Sequence, residues 1–193
     1  MEQEFKWNTN EQIPALLQAL PTNGAPEVLT MSAVYYDTAD RLLSHQKTGL
    51  RIRQENDQSV CCLKITEKNK DGLSLRYEYE VSAADILEGL EKLPAVGAPV
   101  SLCRQLLQSG VIPICRTDFV RKAYICTFPE FSMELALDQG YFNETVPFSE
   151  LEAEQKSGEF AAFYDFCQNL QDQYSLIPQP LSKLARAMAP QAK

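Results

Sequence analysis

Three short runs hold residues whose types and spacing could do chemistry. Glu2, Glu4 and Lys6 alternate near the start, Arg51 and Arg53 alternate further on, and Glu150, Glu152 and Glu154 alternate late in the chain. Alternate side chains of a β-strand point to one face, so each run would set its charges in a row. Glu134 and Asp138 share a face in the same way, as do Arg76, Glu78 and Glu80, and Lys64 lies opposite Leu63 and Ile65. Carboxylate oxygens hold a hard divalent cation such as Mg²⁺. Guanidinium and ammonium groups hold phosphate oxygens, arginine often through two parallel hydrogen bonds. A metal beside a basic clamp is the arrangement used for phosphoryl transfer.

These rows need strands to carry them, and the sequence supplies strands in two clusters. After the opening strand, Ile13, Leu16, Leu17 and Leu20 make one helical face, with Thr9 or Asn10 as cap and Pro14 in the first turn. Residues 28–37, 48–55, 59–67 and 73–81 read as strands, with tight turns at Asn56-Asp57 and Asp71-Gly72. Two helices follow: Ser82 can cap one with Ile86, Leu87, Leu90 and Leu93 on its face, and the other carries Leu102, Cys103, Leu106 and Leu107. Strands return at 114–127, 131–138 and 148–155, with a bend at Gln139-Gly140. Ser157-Gly158 opens the longest helix, striped by Phe160, Phe163, Tyr164, Cys167, Leu170 and Tyr174, and Pro178 and Pro180 flank a linker to a short basic end. About eight strands and four or five helices, with the strands grouped in runs, make the class α+β with an antiparallel sheet.

Composition narrows the function classes. At 193 residues, 45% apolar and 23% charged, the chain is of a size and make-up for one domain, 1–193, with its own core. A net charge of −8 argues against a general nucleic-acid binder, though not against a local basic pocket. No apolar stretch is long enough to span a bilayer and the acidic start lacks a signal-peptide pattern, so no membrane partner and a cytoplasmic location are expected. The six cysteines form no C-x-x-C pair and read as reduced, buried thiols. His45 is the only histidine, which disfavours a His-rich zinc site and most His-dependent triads; it reads as a loop residue. Nothing in the sequence reports oligomeric state.

Each charged face could be the solvated side of a sheet. The segregation of sign argues otherwise. Acids gather on the first and last strands and bases on the middle ones, whereas a solubility face intersperses the signs. Like charges opposed across strands destabilise a sheet, so rows of one sign call for a bound counter-charge. A sheet curled into a barrel with its charged faces inward would bring the carboxylates to one side of a lumen and the bases to the other, with amphipathic helices covering the outside.

Taken in order, these residues resemble the CYTH domains of the triphosphate tunnel metalloenzymes. Glu2-x-Glu4-x-Lys6 is similar to that family's opening signature. Tyr35-Tyr36-Asp37-Thr38, Gly49-Leu50-Arg51-Ile52-Arg53, Leu63-Lys64, Arg76 to Glu80, Thr117-Asp118-Phe119-x-Arg121, Ala136-Leu137-Asp138-Gln139-Gly140, Glu150 to Glu154 and Ser182-Lys183-x-x-Arg186 follow. The bacterial inorganic triphosphatase branch looks most similar; some of its members add a helical domain for which this chain is too short.

The resemblance implies an eight-stranded closed antiparallel tunnel that binds a linear triphosphate with Mg²⁺ or Mn²⁺. It implies Glu2, Glu4, Asp138, Glu152 and Glu154 as metal ligands, and Lys6, Arg51, Arg53, Lys64, Arg76, Arg121, Lys183 and Arg186 as phosphate contacts. Glu2, Glu4, Lys6, Glu152 and Glu154 would be the catalytic set, Glu78 and Glu80 acids beside it, and Glu150 a residue at the rim. The expected activity is hydrolysis of inorganic triphosphate or a related organic triphosphate. An adenylyl cyclase and a non-enzymatic phosphate-chain binder are the alternatives.

Overall fold

The structure is a computed structural model describing residues 1–70 and 73–189; the expected Asp71-Gly72 turn lies outside the described residues. Eight strands close into one antiparallel barrel. They are β1 (Glu2–Asn8), β2 (Glu27–Asp37), β3 (Thr48–Glu55), β4 (Gln58–Lys70), β5 (Leu73–Ser82), β6 (Ile112–Thr127), β7 (Phe131–Phe142) and β8 (Val146–Gly158). Their order around the barrel is β5-β4-β3-β2-β6-β7-β8-β1, and β1 also pairs with β5, which closes the ring.

The first strand is the seam. Its residues Glu2 to Phe5 pair with β5 and Glu4 to Asn8 with β8, so one short segment joins the early and late halves of the chain. Where β5 runs out, Ile177–Pro178 (β9) takes its place beside Trp7 and Asn8, and Gln179 N–H donates to the Lys6 carbonyl at 2.8 Å. The expected linker around Pro178 is therefore partly a strand. Proline is tolerated there because β9 is an edge.

Six helices accompany the strands among the described residues: α1 (Ile13–Ala19), α2 (Leu42–His45), α3 (Ile86–Lys92), α4 (Val100–Ser109), α5 (Phe160–Gln173) and α6 (Lys183–Met188). None is long and apolar enough to cross a membrane. Asp85 rather than Ser82 caps α3, accepting from the Leu87 and Glu88 N–H groups at 3.0 Å, and Ser82 ends β5 instead. His45 ends α2 and is exposed. Ser157-Gly158 closes β8 rather than opening α5. Gly158 has φ +90° and lies against the Glu130 carbonyl, where a Cβ would not fit. Gln139-Gly140 is no bend but part of β7, and Gly140 lets Phe119 and the Asp118 carbonyl of β6 come close.

Outward-facing apolar residues account for two of the three cores. Phe5, Trp7, Leu135 and Leu151 pack under α1 and α5 with Leu16, Phe163, Cys167 and Leu170. The Trp7 indole also donates to Gln171 Oε1 at 2.9 Å. Phe160 and Tyr164 belong to the α5 stripe in sequence but stay partly exposed. Leu50, Leu63, Leu90 and Leu106 build the second core between β3–β4 and α3–α4. Helices do not cover the whole barrel. On β6, Arg116 and Val120 are exposed, and Arg116 pairs with its neighbour Asp118 at 2.7 Å.

The third core is inside. Met31, Ala33, Tyr35, Cys115, Phe119, Phe142 and Phe148 turn into the barrel and meet Ala187 and Leu184 of α6. The lumen is thus apolar along β2 and the first half of β6, and charged over the rest. All six cysteines are free and buried.

Candidate active site

Closing the barrel puts the charged rows around one cavity of about 830 Å³. Its wall includes Glu2, Glu4, Lys6, Arg51, Arg53, Lys64, Arg76, Arg121, Glu152, Glu154 and Lys183 from the expected set, with Glu78 and Glu80 beside them. Asp138, Glu150 and Arg186 are not on that wall.

Register explains which charges meet. Glu4 sits opposite Glu154, and Glu154 opposite Glu134, which makes a carboxylate row across β1, β8 and β7. Lys6 sits opposite Glu152 one step along. On the other side of the seam Glu2 faces Arg76, and Arg76 faces Thr66 of β4. The acidic and basic rows are therefore adjacent rather than on opposite walls, and they pair. Lys64 Nζ lies 3.0 Å from both Glu2 and Glu78. Arg76 donates to Glu4 at 2.7 Å, and Arg53 to Glu80 at 3.1 Å while also contacting Glu55. Segregation of sign along the sequence becomes alternation of sign around the lumen, because β1 closes on β5.

Two buried cations of the wall escape that pairing. Arg51 is buried and has no carboxylate within 4.0 Å among the described residues. Its guanidinium reaches the Tyr35 hydroxyl at 3.4 Å, and its Nε has no partner. Lys6 has its nearest carboxylate oxygen, from Glu4, at 3.7 Å. Burial pulls the Lys6 ammonium below its ordinary value, against the opposing pull of Glu4 and Glu152. Both are held in the wall short of charge partners, as a site for an anion requires.

The deepest acids have a different arrangement. Asp138 is fully buried, and its two oxygens accept Arg121 Nε at 2.8 Å and Nη2 at 2.7 Å, while Lys183 Nζ lies 2.7 Å away. Arg121 also donates to Glu152 at 2.5 Å, and Lys183 to Glu152 at 2.9 Å. Burial would raise the Glu152 carboxyl, but Lys183, Arg121 and Lys6 outweigh it and hold it well below the ordinary range. Asp138, Glu150 and Glu152 bring ligand atoms within 4.8 Å of one another, the spacing of a metal site, yet the Lys183 ammonium contacts all three. In this structure that triad is a lysine nest. Asp138, expected among the metal ligands, meets Arg121 and Lys183 from behind the wall. Glu150 is fully buried rather than at the rim, and Arg186 meets Glu150 rather than the cavity.

Glu2, Glu4, Glu152 and Glu154 are the oxygen donors that two adjacent strands bring to the cavity wall, each beside a base, and no three of them have ligand atoms within 4.8 Å of one another. Burial, with Glu2 nearby, holds the Glu154 carboxyl above its ordinary value despite Lys156. Sequence reasoning left out Glu134 and Lys156 as site residues. Both line the cavity, and Lys156 lies 2.9 Å from Glu154. Parity alone points to them: Glu134 shares the Asp138 face, and Lys156 extends the Glu150-Glu152-Glu154 row.

Comparison with known proteins agrees with this geometry. A CYTH domain model matches residues 1–188. The inorganic triphosphatase of Haemophilus influenzae is 34% identical over 161 residues, 82% of this chain and 45% of that protein, so the chain spans less than half the length of this relative. Among solved structures, a putative adenylyl cyclase from Hippeastrum, described as revealing a dominant triphosphatase activity, superposes with TM-score 0.66 at 19% identity, covering 96% of this chain and 94% of that one. A putative adenylate cyclase from Bacillus halodurans gives 0.61 at 20% identity over 95% of each chain. At those identities the structures attest the fold alone. With its closed tunnel and a family match that runs from the Glu2-x-Glu4-x-Lys6 seam through α6, the chain belongs to the CYTH domain family.

Proposed function

We propose that this chain is a divalent-metal-dependent hydrolase of inorganic triphosphate, formed by one tunnel domain. The observation that carries the proposal is the pairing of unlike rows in one cavity: oxygen donors from β1 and β8, and beside them buried bases of which Arg51 and Lys6 lack close acid partners. The triphosphatase named among its relatives supports the same reaction.

Arg51, Lys6, Lys183 and Arg121 bind the phosphate oxygens, with Arg53, Lys64 and Arg76 turning to them as their own carboxylates are taken up. Asp138 fixes Arg121 through two parallel bonds, so that guanidinium is oriented before substrate arrives. Glu2, Glu4, Glu152 and Glu154 would hold Mg²⁺ or Mn²⁺, which supplies a Lewis acid for the phosphoryl oxygens and for an attacking water. The basic wall neutralises charge on the phosphoryl group as the anhydride bond breaks. In the resting lumen most bases other than Arg51 and Lys6 are held by acids, and added positive charge beside those acids would free the bases for a polyanion. That balance supports metal dependence. The reduced state of six buried thiols supports a cytoplasmic setting.

One observation favours organic triphosphates as second substrates: Leu29, Met31, Tyr35 and Phe119 give the same cavity an apolar side. The deciding experiment incubates the protein with inorganic triphosphate, thiamine triphosphate and ATP, each with Mg²⁺ or Mn²⁺, and measures phosphate, pyrophosphate and cyclic AMP. Orthophosphate and pyrophosphate in equal amounts from triphosphate are the expected products. Pyrophosphate with cyclic AMP from ATP would assign a cyclase instead, and binding without turnover a carrier.

A further inference from the structure

We propose that Glu150 is a positioning residue, anchoring α6 in the end of the barrel and so holding the Lys183 ammonium in the tunnel wall. This rests on the reading of Lys183 as a phosphate contact. Strand parity places Glu150 in the same row as Glu152 and Glu154, yet it alone of the three is off the cavity wall, with no exposed surface. Both of its ion pairs among the described residues come from one helix. Lys183 and Arg186, one turn apart on α6, each place a nitrogen on the Glu150 carboxylate.

A six-residue helix has no stability of its own, so where α6 lies depends on what grips it. Ser182 caps it at the Ala185 N–H at 3.1 Å, and Asn143 donates to the Ala187 carbonyl at 2.9 Å. Those bonds fix its ends. The grip along its inner face is apolar at Leu184 and Ala187 and ionic at Lys183 and Arg186. Arg186 lies over the Phe142 and Phe148 rings, at 5.0 and 5.5 Å, with its charge met by Glu150. Lys183, 5.0 Å from the Phe119 ring centre, passes from Glu150 to Asp138 and Glu152 and ends on the cavity wall. Removing the Glu150 charge leaves the part-buried Arg186 without its counter-ion, which favours release of the helix. Lys183 would leave with it.

The test compares wild type, Glu150→Gln, Lys183→Met and the double variant, by steady-state kinetics on triphosphate and by tryptic cleavage after Lys183 and Arg186 read by mass spectrometry. Glu150→Gln is expected to raise KM roughly tenfold to a hundredfold, the scale of one lost charge-assisted contact, with kcat little changed. It is also expected to speed cleavage within α6. In the Lys183→Met background the same substitution adds nothing to KM, because both act through one ammonium. An unchanged KM, or effects that add in the double variant, would overturn the positioning role even if cleavage accelerates. Unchanged cleavage would overturn the anchoring, and this arm decides it even if the wild type turns over no triphosphate.

Discussion

Across the seam where β1 closes on β5, Arg76 Nη2 donates to Glu4 Oε1 at 2.7 Å. The two residues come from opposite signs of the charge pattern and lie 72 positions apart, yet the register sets Glu4 beside Ser74 and one step from Arg76. A ligand that separates them must offer both a cation and an anion. A metal–triphosphate complex does so, and either component alone leaves one of the pair buried without its partner.

Glu4→Gln keeps the shape and a weak acceptor for Arg76 but removes the charge. Turnover of triphosphate should fall at least about a hundredfold, in line with the loss of one preorganised electrostatic group. Far-UV circular dichroism should be that of the wild type. Activity surviving in Glu4→Gln would remove Glu4 from the metal set.

Asp138→Asn separates two roles for that carboxylate. Because its oxygens are engaged by Arg121 and Lys183 behind the wall, the variant should bind Mn²⁺ with wild-type affinity by calorimetry. It should bind triphosphate roughly tenfold more weakly, since both bases lose their orientation. A fall in metal affinity with triphosphate affinity intact would return Asp138 to the metal ligands.

Asp37 carries a stability prediction away from the site. Its carboxylate accepts from the Thr38, Leu43 and Ser44 N–H groups at 2.8, 2.9 and 3.0 Å and from the Ser44 hydroxyl at 2.6 Å, and so starts α2. Burial would raise its pKa, but these bonds outweigh it and hold the folded value below the ordinary 3.8. The stabilisation is therefore complete above the ordinary value and is lost as pH falls through the folded one. Asp37→Ala should cost about 2 kcal/mol at pH 7, a fall in Tm of about 4–8 °C by thermal melting. The gap between variant and wild type should be the same at pH 6 and narrow below about pH 4. A gap that persists at pH 2.5 would mean that packing, not the charge, is what Asp37 contributes.

Strand periodicity made the barrel legible. Arg51 and Arg53, or Glu152 and Glu154, face inward because of their parity, and Leu50, Leu63 and Leu151 face outward for the same reason. What parity cannot supply is which strands become neighbours. Glu2 and Glu4 were expected across a lumen from the bases, but closure of β1 on β5 set them against Lys64 and Arg76. Nor does parity show depth. Glu150, Glu152 and Glu154 are equivalent in sequence, and only the arrival of α6 separates the buried one from the two on the cavity wall. The apolar side of the lumen was legible in principle: Phe119 has the parity of Arg121. It escaped because Met31, Ala33 and Tyr35 of β2 carry no charge to mark their face. Short elements such as α2, α6 and β9 fall below the length at which periodicity speaks, and local capping or an edge pairing defines them instead.

The most direct test of the account is orthophosphate release from inorganic triphosphate by the wild-type protein, with Mg²⁺ or Mn²⁺ and again after chelation. Release that requires the added cation and stops when it is removed is the predicted result. No release with either metal, or release undiminished in chelator, would contradict a metal-dependent triphosphatase built on Glu2, Glu4, Glu152 and Glu154.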